Sequence, residues 1–518
     1  MGGATEFEPL GGETYPDTLE QQLHALETDR QLQGFRASRE QLASDLYRPL
    51  YHFSVPENAL NDPNGLCQWR GRYHMFYQFW PVGADRVHWG HTVSDDLVHW
   101  EDLPVALYPT TERDCYSGQT LVEADRVIAI YHGTQSGNAI ATAGDPLLLN
   151  WEKHPSNPVI PITPDGRPYR VFDPCIWKED DGYYALSGTY TDGERGEDCR
   201  SVDHVFRSKD LAHWEYLGPL IEDGSHTEPG EDGAVPNFWP IGNGKQMLLF
   251  FSHKRAAQYY VGDYDRETHR LRPDYHGRMN YGPLVRGCLH APSATIDDGG
   301  RFLAIFNIHE GRATEGWRGM MSLPRRLWLC ADNMLRIEPV AELQSLRFDH
   351  RRVGPTGIPP NEEVMLDGIN GKAVEIAATI DPGSAREVGL NVLRSPNGEE
   401  QTTVTLYRGS DRGDPNECRL GIDISRASLR WDVKSRTPEI GPLRLEDDEP
   451  LELRIFLDRS SIEVFANQKQ CLTARVYPDR ADSTGASMFG RGGPAKLLSL
   501  DAWQMRSIWP ELRELEGR

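Results

Sequence analysis

The chain has 518 residues, enough for two or more domains with a large core. Its formal charge of −23 excludes a nucleic-acid or anionic-membrane surface, since both require a basic footprint. The eight Cys are scattered without a Cys-x-x-Cys pair, which excludes a structural zinc pattern and a disulfide framework.

The stretch Met1–Glu6 lacks the basic and apolar regions of a secretion signal, and no run is long enough for a membrane span. A cytoplasmic protein with free thiols is therefore expected. Residues 17–46 carry apolar side chains at helical spacing and predict one or two polar helices, in an N-terminal extension over 1–46. These helices are expected to pack on either of the domains that follow or to support a homo-oligomer.

From Tyr47 to Leu346 the pattern changes to short aromatic and β-branched runs separated by Gly, Asp, Asn and Pro, which is an all-β signature. At its start stands Leu60-Asn61-Asp62-Pro63-Asn64-Gly65. Pro63 lacks a ladder donor and Gly65 permits a sharp reversal, so this segment is read as a turn and not as packed core. The aromatic run Tyr73-His74-Met75-Phe76-Tyr77-Gln78 follows as an inner strand. A carboxylate at a strand entrance among amides and aromatic faces suits a sugar site.

A repeat runs through the same region. Ser94-Asp95-Asp96-Leu97-Val98-His99-Trp100-Glu101 returns as Ser208-Lys209-Asp210-Leu211-Ala212-His213-Trp214-Glu215, with a weaker copy at Asp145–Glu152. Each copy is a polar turn followed by a Trp able to pin neighbouring units together. Such spacing favours radial repetition, and about 300 residues in four-stranded blades give five. Residues 347–362 are rich in Pro and Gly and read as a linker; beyond them, 363–518 resume alternating strands and read as a β-sandwich. The predicted architecture is thus all-β: a five-bladed β-propeller over 47–346, then a C-terminal β-sandwich, after a short helical extension.

Seven motifs arrive in one order: Leu60–Gly65, Trp89-Gly90-His91 leading to Ser94–Leu97, Tyr116-Ser117-Gly118, Phe172-Asp173-Pro174, Pro236–Pro240, Gly316–Arg325 and Asp458–Asn467. In these the chain resembles glycoside hydrolase family 32, the group of invertases, levanases and inulinases, from about Tyr51 to Trp509. The resemblance implies a propeller carrying the active site and a mainly structural sandwich. It also implies retaining cleavage of β-fructofuranosyl bonds of sucrose or fructo-oligosaccharides, with two carboxylates roughly 5 Å apart. A fructosyltransferase using the same site, or a fructoside-binding propeller with weakened catalysis, are the alternatives.

By this resemblance Asp62 matches the nucleophile, with Asn61 and Asn64 placed to donate hydrogen bonds to it, and Asp173 matches the transition-state stabiliser. Phe172 replaces the Arg that usually precedes that Asp, with Arg170 nearby. The family's acid/base Glu precedes a Cys-Pro, where this chain has Ala234-Val235-Pro236. Glu228, Glu231 and Asp232 lie just upstream, and Gly230 and Gly233 permit a bulge; Glu231 is chosen, then Asp232, as the acid/base. Gln78, Trp89 and Ser117 match positions that contact the fructosyl unit. Trp80 and Trp239 are stacking candidates, Phe79 replaces a usual Asn, and His290 stands where the family often has an aromatic. His88, His91, His99 and His213 do not have metal-ligand spacing, and no Gly-rich phosphate loop is present, so neither metal nor cofactor is expected.

Overall fold

The computed structural model describes residues 13–162, 169–189, 202–221, 227–282, 288–409, 414 and 416–510. The stretch Met1–Glu6, Cys199 and the end of the chain beyond residue 510 lie outside the described residues. The described part is all-β, apart from two α-helices, Leu19–Glu27 and Arg30–Leu42, and one short 3-10 turn. No helix in it is long and apolar enough to cross a membrane.

Each helix starts on a side-chain cap: Thr18 accepts from the Gln21 amide and Asp29 from that of Leu32. They pack against the strands that follow. The Gln22 amide donates to Asp145 at 2.7 Å, and Phe35 meets Phe79 edge-on. Arg39 donates to Asp102 at 2.8 Å and lies over the Trp509 ring at 3.8 Å, which ties the extension to the far end of the chain.

Five sheets follow in chain order. Their first strands are Asn58–Trp69, Cys115–Val122, Val171–Glu179, Ala234–Gly242 and Leu289–Ile296. Each of these strands touches the first strand of the next sheet, and Leu289–Ile296 returns to touch Asn58–Trp69. Along most of its length a first strand has a ladder partner on one side only.

That edge position explains a departure from the sequence reading. The segment Leu60–Gly65 is not a turn before a strand but part of the strand Asn58–Trp69, interrupted by register shifts between Leu60 and Pro63 and between Asn64 and Cys67. Proline is tolerated on an edge strand next to a bulge. Gly65 has φ +51°, and a Cβ there would approach Thr120 Cγ2 to 2.6 Å, so only glycine fits.

The repeat marks the same corner in three successive sheets, between the third and fourth strands. In the first copy Asp96 accepts from the amides of Val98 and His99, and Asp210 does the same for Ala212 and His213. Leu97 and Leu211 both have φ +67°, the price of the tight corner. Trp151 of the weaker copy, in the second sheet, meets Phe76 of the preceding sheet edge-on at 5.5 Å, the pinning contact expected.

The C-terminal region forms two further antiparallel sheets facing one another across a shared apolar core. Its first strand begins earlier than the sequence suggested. Arg347–Val353 and Thr356–Ile358, read as linker, both pair with Ala495–Met505. The Pro and Gly residues there interrupt an edge strand instead of making a free connector.

Where the two regions meet, Asp458 accepts from the backbone amides of Leu50, Tyr51 and His52 and contacts His52 Nδ1 at 2.8 Å. Glu463 contacts His52 Nε2 at 3.1 Å, accepts from the Leu323 amide and pairs with Arg325 at 2.7 Å. All four side chains are buried. The Asp458–Asn467 motif is therefore a clasp between domains.

Candidate active site

Where the first strands converge, an open cavity of about 690 Å³ is bordered by Asn61, Asp62, Gln78 and Trp80 from the first sheet. Tyr116 and His132 belong to the second sheet, and Arg170, Phe172 and Asp173 lie at the head of the third. Ala234, Val235, Phe251, His253 and His290 close the far wall. A second cavity of similar volume opens between the domains, rimmed by Asp332, Arg444 and Lys469, and contains neither Asp62 nor Asp173.

Asp62 is held by the bulged strand with its carboxylate 8% exposed. Ser117 Oγ donates to Oδ2 at 2.6 Å and Gln78 Nε2 donates to the same oxygen at 3.2 Å. Burial raises its pKa; the Ser117 hydrogen bond and then the charge of His253 pull it back. The donors are Ser117 and Gln78, not Asn61 and Asn64 as expected from the sequence. Asn61 donates to Gln78 Oε1 and accepts from Asn307 and His309, so it orients Gln78. Asn64 faces the Gly118 backbone.

Asp173 borders the same cavity, also 8% exposed, and accepts from the Val235 amide at 3.3 Å. Val235 has φ +51°, an uncommon conformation for a β-branched residue, and this strained corner aims its N–H at the carboxylate. Phe172 lines the cavity and leans over Gly188, where a Cβ would strike its ring at 2.5 Å. Arg170 reaches the cavity from two residues upstream.

Two expected sugar contacts belong behind the wall. Trp89 is fully buried and donates its indole N–H to the Tyr116 carbonyl at 2.8 Å, so it braces the strand Cys115–Val122 and does not border the cavity. Ser117 is equally buried and acts through Asp62. Gln78, Asn61, Trp80 and His290 do line the cavity; Trp239 packs against the core cluster instead.

The carboxylates upstream of Pro236 divide. Glu228 pairs with Arg255 at 2.8 Å. Glu231 is fully buried, bonded to Gln258 and paired with Arg278 at 3.1 Å, away from the residues bordering the cavity. Burial alone would raise its pKa, but these hydrogen bonds and the Arg278 charge hold it below the ordinary value, the opposite of what a general acid needs. Asp232, 2% exposed, accepts from the His253 amide and contacts His253 Nδ1, each at 2.7 Å.

Sequence reasoning missed His253, Phe251, His132 and Tyr116 as cavity residues. His253 follows the apolar strand Lys245–Ser252, and its place is set by the register Ala234↔Phe251, which is not visible in either segment alone. Among the described residues no group of three or more His, Cys, Asp or Glu is arranged to hold a metal. The seven described cysteines are free.

Residues 52–339 match the model of the glycosyl hydrolases family 32 N-terminal domain, and residues 342–504 match that of the family 32 C terminal. The chain is 31% identical over 511 residues to a levanase of Bacillus subtilis, covering 89% of this chain and 71% of the relative. It is 29% identical to a sucrose-6-phosphate hydrolase of Zymomonas mobilis, covering 91% and 94%. A solved β-fructofuranosidase of Bombyx mori superposes with TM-score 0.71 at 25% identity, covering 93% and 99%. A fructan 1-exohydrolase of Cichorium intybus shares the fold, with TM-score 0.79 at 24% identity and coverage of 89% and 98%. The chain belongs to glycosyl hydrolase family 32.

Proposed function

We propose that this protein cleaves terminal β-D-fructofuranosyl bonds of sucrose or short fructo-oligosaccharides with retention, through a fructosyl ester on Asp62. The observation carrying this reading is the buried Asp62, gripped by Ser117 and Gln78, in one cavity with Asp173. The named activities of the levanase and β-fructofuranosidase relatives support it.

In this reading an Asp62 oxygen attacks the anomeric carbon while the glycosidic oxygen departs with a proton, and water then releases the sugar. Asp173 grips fructosyl hydroxyls more tightly as the ring flattens, which stabilises the transition state selectively. Arg170 takes over part of the hydroxyl grip of the missing Arg at Phe172. Trp80 and Tyr116 offer ring faces to the sugar's C–H side. The five sheets, with first strands in a closed chain of contacts, are read as five blades of a propeller around this funnel.

The test is glucose release from sucrose and fructose release from inulin and levan oligomers, beside Asp62→Asn. Wild-type turnover with loss of at least about 10³-fold in the variant supports the reading. A wild type as inert as Asp62→Asn on all three substrates overturns it.

A further inference from the structure

Retaining cleavage needs a proton donor, and the family's glutamate position is Ala234, a fully buried residue of the cavity wall. The carboxylates just upstream do not fill the gap, since Glu228 faces Arg255 and Glu231 is closed into its pair with Arg278. A titratable ring that borders the same cavity follows the neighbouring strand Lys245–Ser252. Ala234 pairs with Phe251, and two residues beyond Phe251 the ring of His253 borders the cavity that holds Asp62 and Asp173.

The ring is held at two points. Asp232 takes the His253 backbone N–H on Oδ1 and faces Nδ1 with Oδ2, both at 2.7 Å. With Nδ1–H donated to Asp232, Nε2 is the ring nitrogen that has no protein partner among the described residues. The Phe251 ring, 4.8 Å from that of His253 and 4.0 Å from that of His290, fixes the other face of the wall. His290 in turn stacks on His309 at 3.8 Å, and His309 contacts Asn61. The ring is therefore positioned by buried partners and still open to a ligand, with 43% of its side chain exposed.

We infer that His253 is the general acid and base of this enzyme, held and charge-supported by Asp232, in place of the family's glutamate. The inference rests on the fructosidase reading above. In the first step the Asp62 carboxylate forms a bond to the anomeric carbon and the carbon–oxygen bond to the leaving sugar breaks. The electron pair of that bond goes to the leaving oxygen, which takes the Nε2 proton of the imidazolium. In the second step neutral Nε2 removes a proton from water as the water oxygen bonds to the anomeric carbon. The ester bond breaks, and its electrons return to Asp62. Imidazolium is regenerated, and the sum is hydrolysis. Asp232 keeps its charge throughout and is a positioning residue.

A rival carboxylate sits nearby. Asp203 is buried under Gly233, and its oxygens have no hydrogen-bond partner among the described residues. Burial first, then the charges of Asp232 and Asp173, push its pKa up to about 8. It is protonated at neutral pH, but it does not border the cavity.

The test compares a leaving group that needs a proton with one that does not. His253→Gln, Asp232→Asn, Asp203→Asn and Glu231→Gln are assayed on sucrose and on β-D-fructofuranosyl fluoride, following the burst of fluoride. For His253→Gln, kcat/KM on sucrose is expected to fall by about 10²–10⁴-fold. Its fluoride burst should fall less than about tenfold, and added azide should speed turnover and yield fructosyl azide. Asp232→Asn should lower kcat on sucrose with KM unchanged and show the same preference for the fluoride. Equal losses on both substrates in His253→Gln, or retention of sucrose cleavage, overturn the assignment. The same leaving-group signature in Asp203→Asn or Glu231→Gln instead also overturns it. Wild type inert on both substrates is a separate outcome: it sinks the fructosidase reading itself.

Discussion

Two buried charge clusters of this protein are built to opposite ends. At the domain junction His52, Arg325, Asp458 and Glu463 are fully enclosed, and each charge meets a partner of opposite sign or a row of backbone amides. In the cavity Asp62 and Asp173 are nearly as buried, yet Asp62 receives only a hydroxyl and an amide from the protein. The pKa directions follow. Burial would raise Glu463, but Arg325 and His52 hold it low; burial raises Asp62, and the Ser117 hydrogen bond and the His253 charge fail to reverse this. The clasp satisfies its charges, whereas Asp62, the nucleophile proposed above, is left under-satisfied by the protein.

Variants can break this contrast on either side. The largest effect is expected from Asp62→Asn, with steady-state cleavage reduced at least about 10³-fold and Tm unchanged or raised, since a poorly satisfied buried carboxylate is removed. A drop in Tm comparable to that of a clasp variant would erase the distinction. Next comes Glu463→Gln, which strands Arg325 and should cost about 3–5 kcal/mol in denaturant unfolding. Unchanged stability would show that the clasp does not hold the domains.

The pH dependence sharpens the same point. Glu463 is held below its unfolded value, so its contribution is present above the unfolded carboxylate range and is lost as pH falls through the folded value. For His52, burial lowers the pKa, but hydrogen bonds and charges from Asp458 and Glu463 outweigh it and the net shift is upward. Its contribution is complete below the unfolded value and is lost as pH rises through the folded one. The contribution of this pair should therefore peak between these two limits in the wild type, and the acid slope of Tm should be shallower in Glu463→Gln. Identical pH profiles would contradict the assignment.

Smaller changes read the support around Asp62. Ser117→Ala removes the hydrogen bond that lowers the Asp62 pKa, so the acid limb of kcat/KM should move to higher pH, with a loss of about 10- to 100-fold at its optimum. No shift in that limb would mean that Ser117 does not tune the carboxylate. Trp89→Phe, which loses the bond to the Tyr116 carbonyl and part of the buried ring's packing on Phe76 and Tyr131, should change kcat by a few-fold and leave KM within about twofold. A large rise in KM would restore Trp89 to the sugar contacts predicted from its motif.

The motifs that located Asp62 and Asp173 are contiguous in sequence, each a carboxylate locked beside a proline on a first strand. The Trp-bearing repeat was equally local, and it marks the corner between third and fourth strands. What stayed hidden depends on register and depth. Ser117 and Trp89 alternate along strands whose inward face the motifs do not reveal. His253 belongs to the site only because its strand lies beside Ala234, and Asp232 points to it because the Gly-flanked loop places its carboxylate at the His253 amide. Side-chain length alone lets Glu231 span the offset, but Arg278, from a strand 47 residues away, claims it.

The account turns on the covalent bond at Asp62. His253→Gln mixed with β-D-fructofuranosyl fluoride and quenched in acid should give, after peptic digestion and mass spectrometry, a single hexosyl adduct on the peptide containing Asp62. An adduct on any other residue, or none while fluoride is released in a burst, would contradict it.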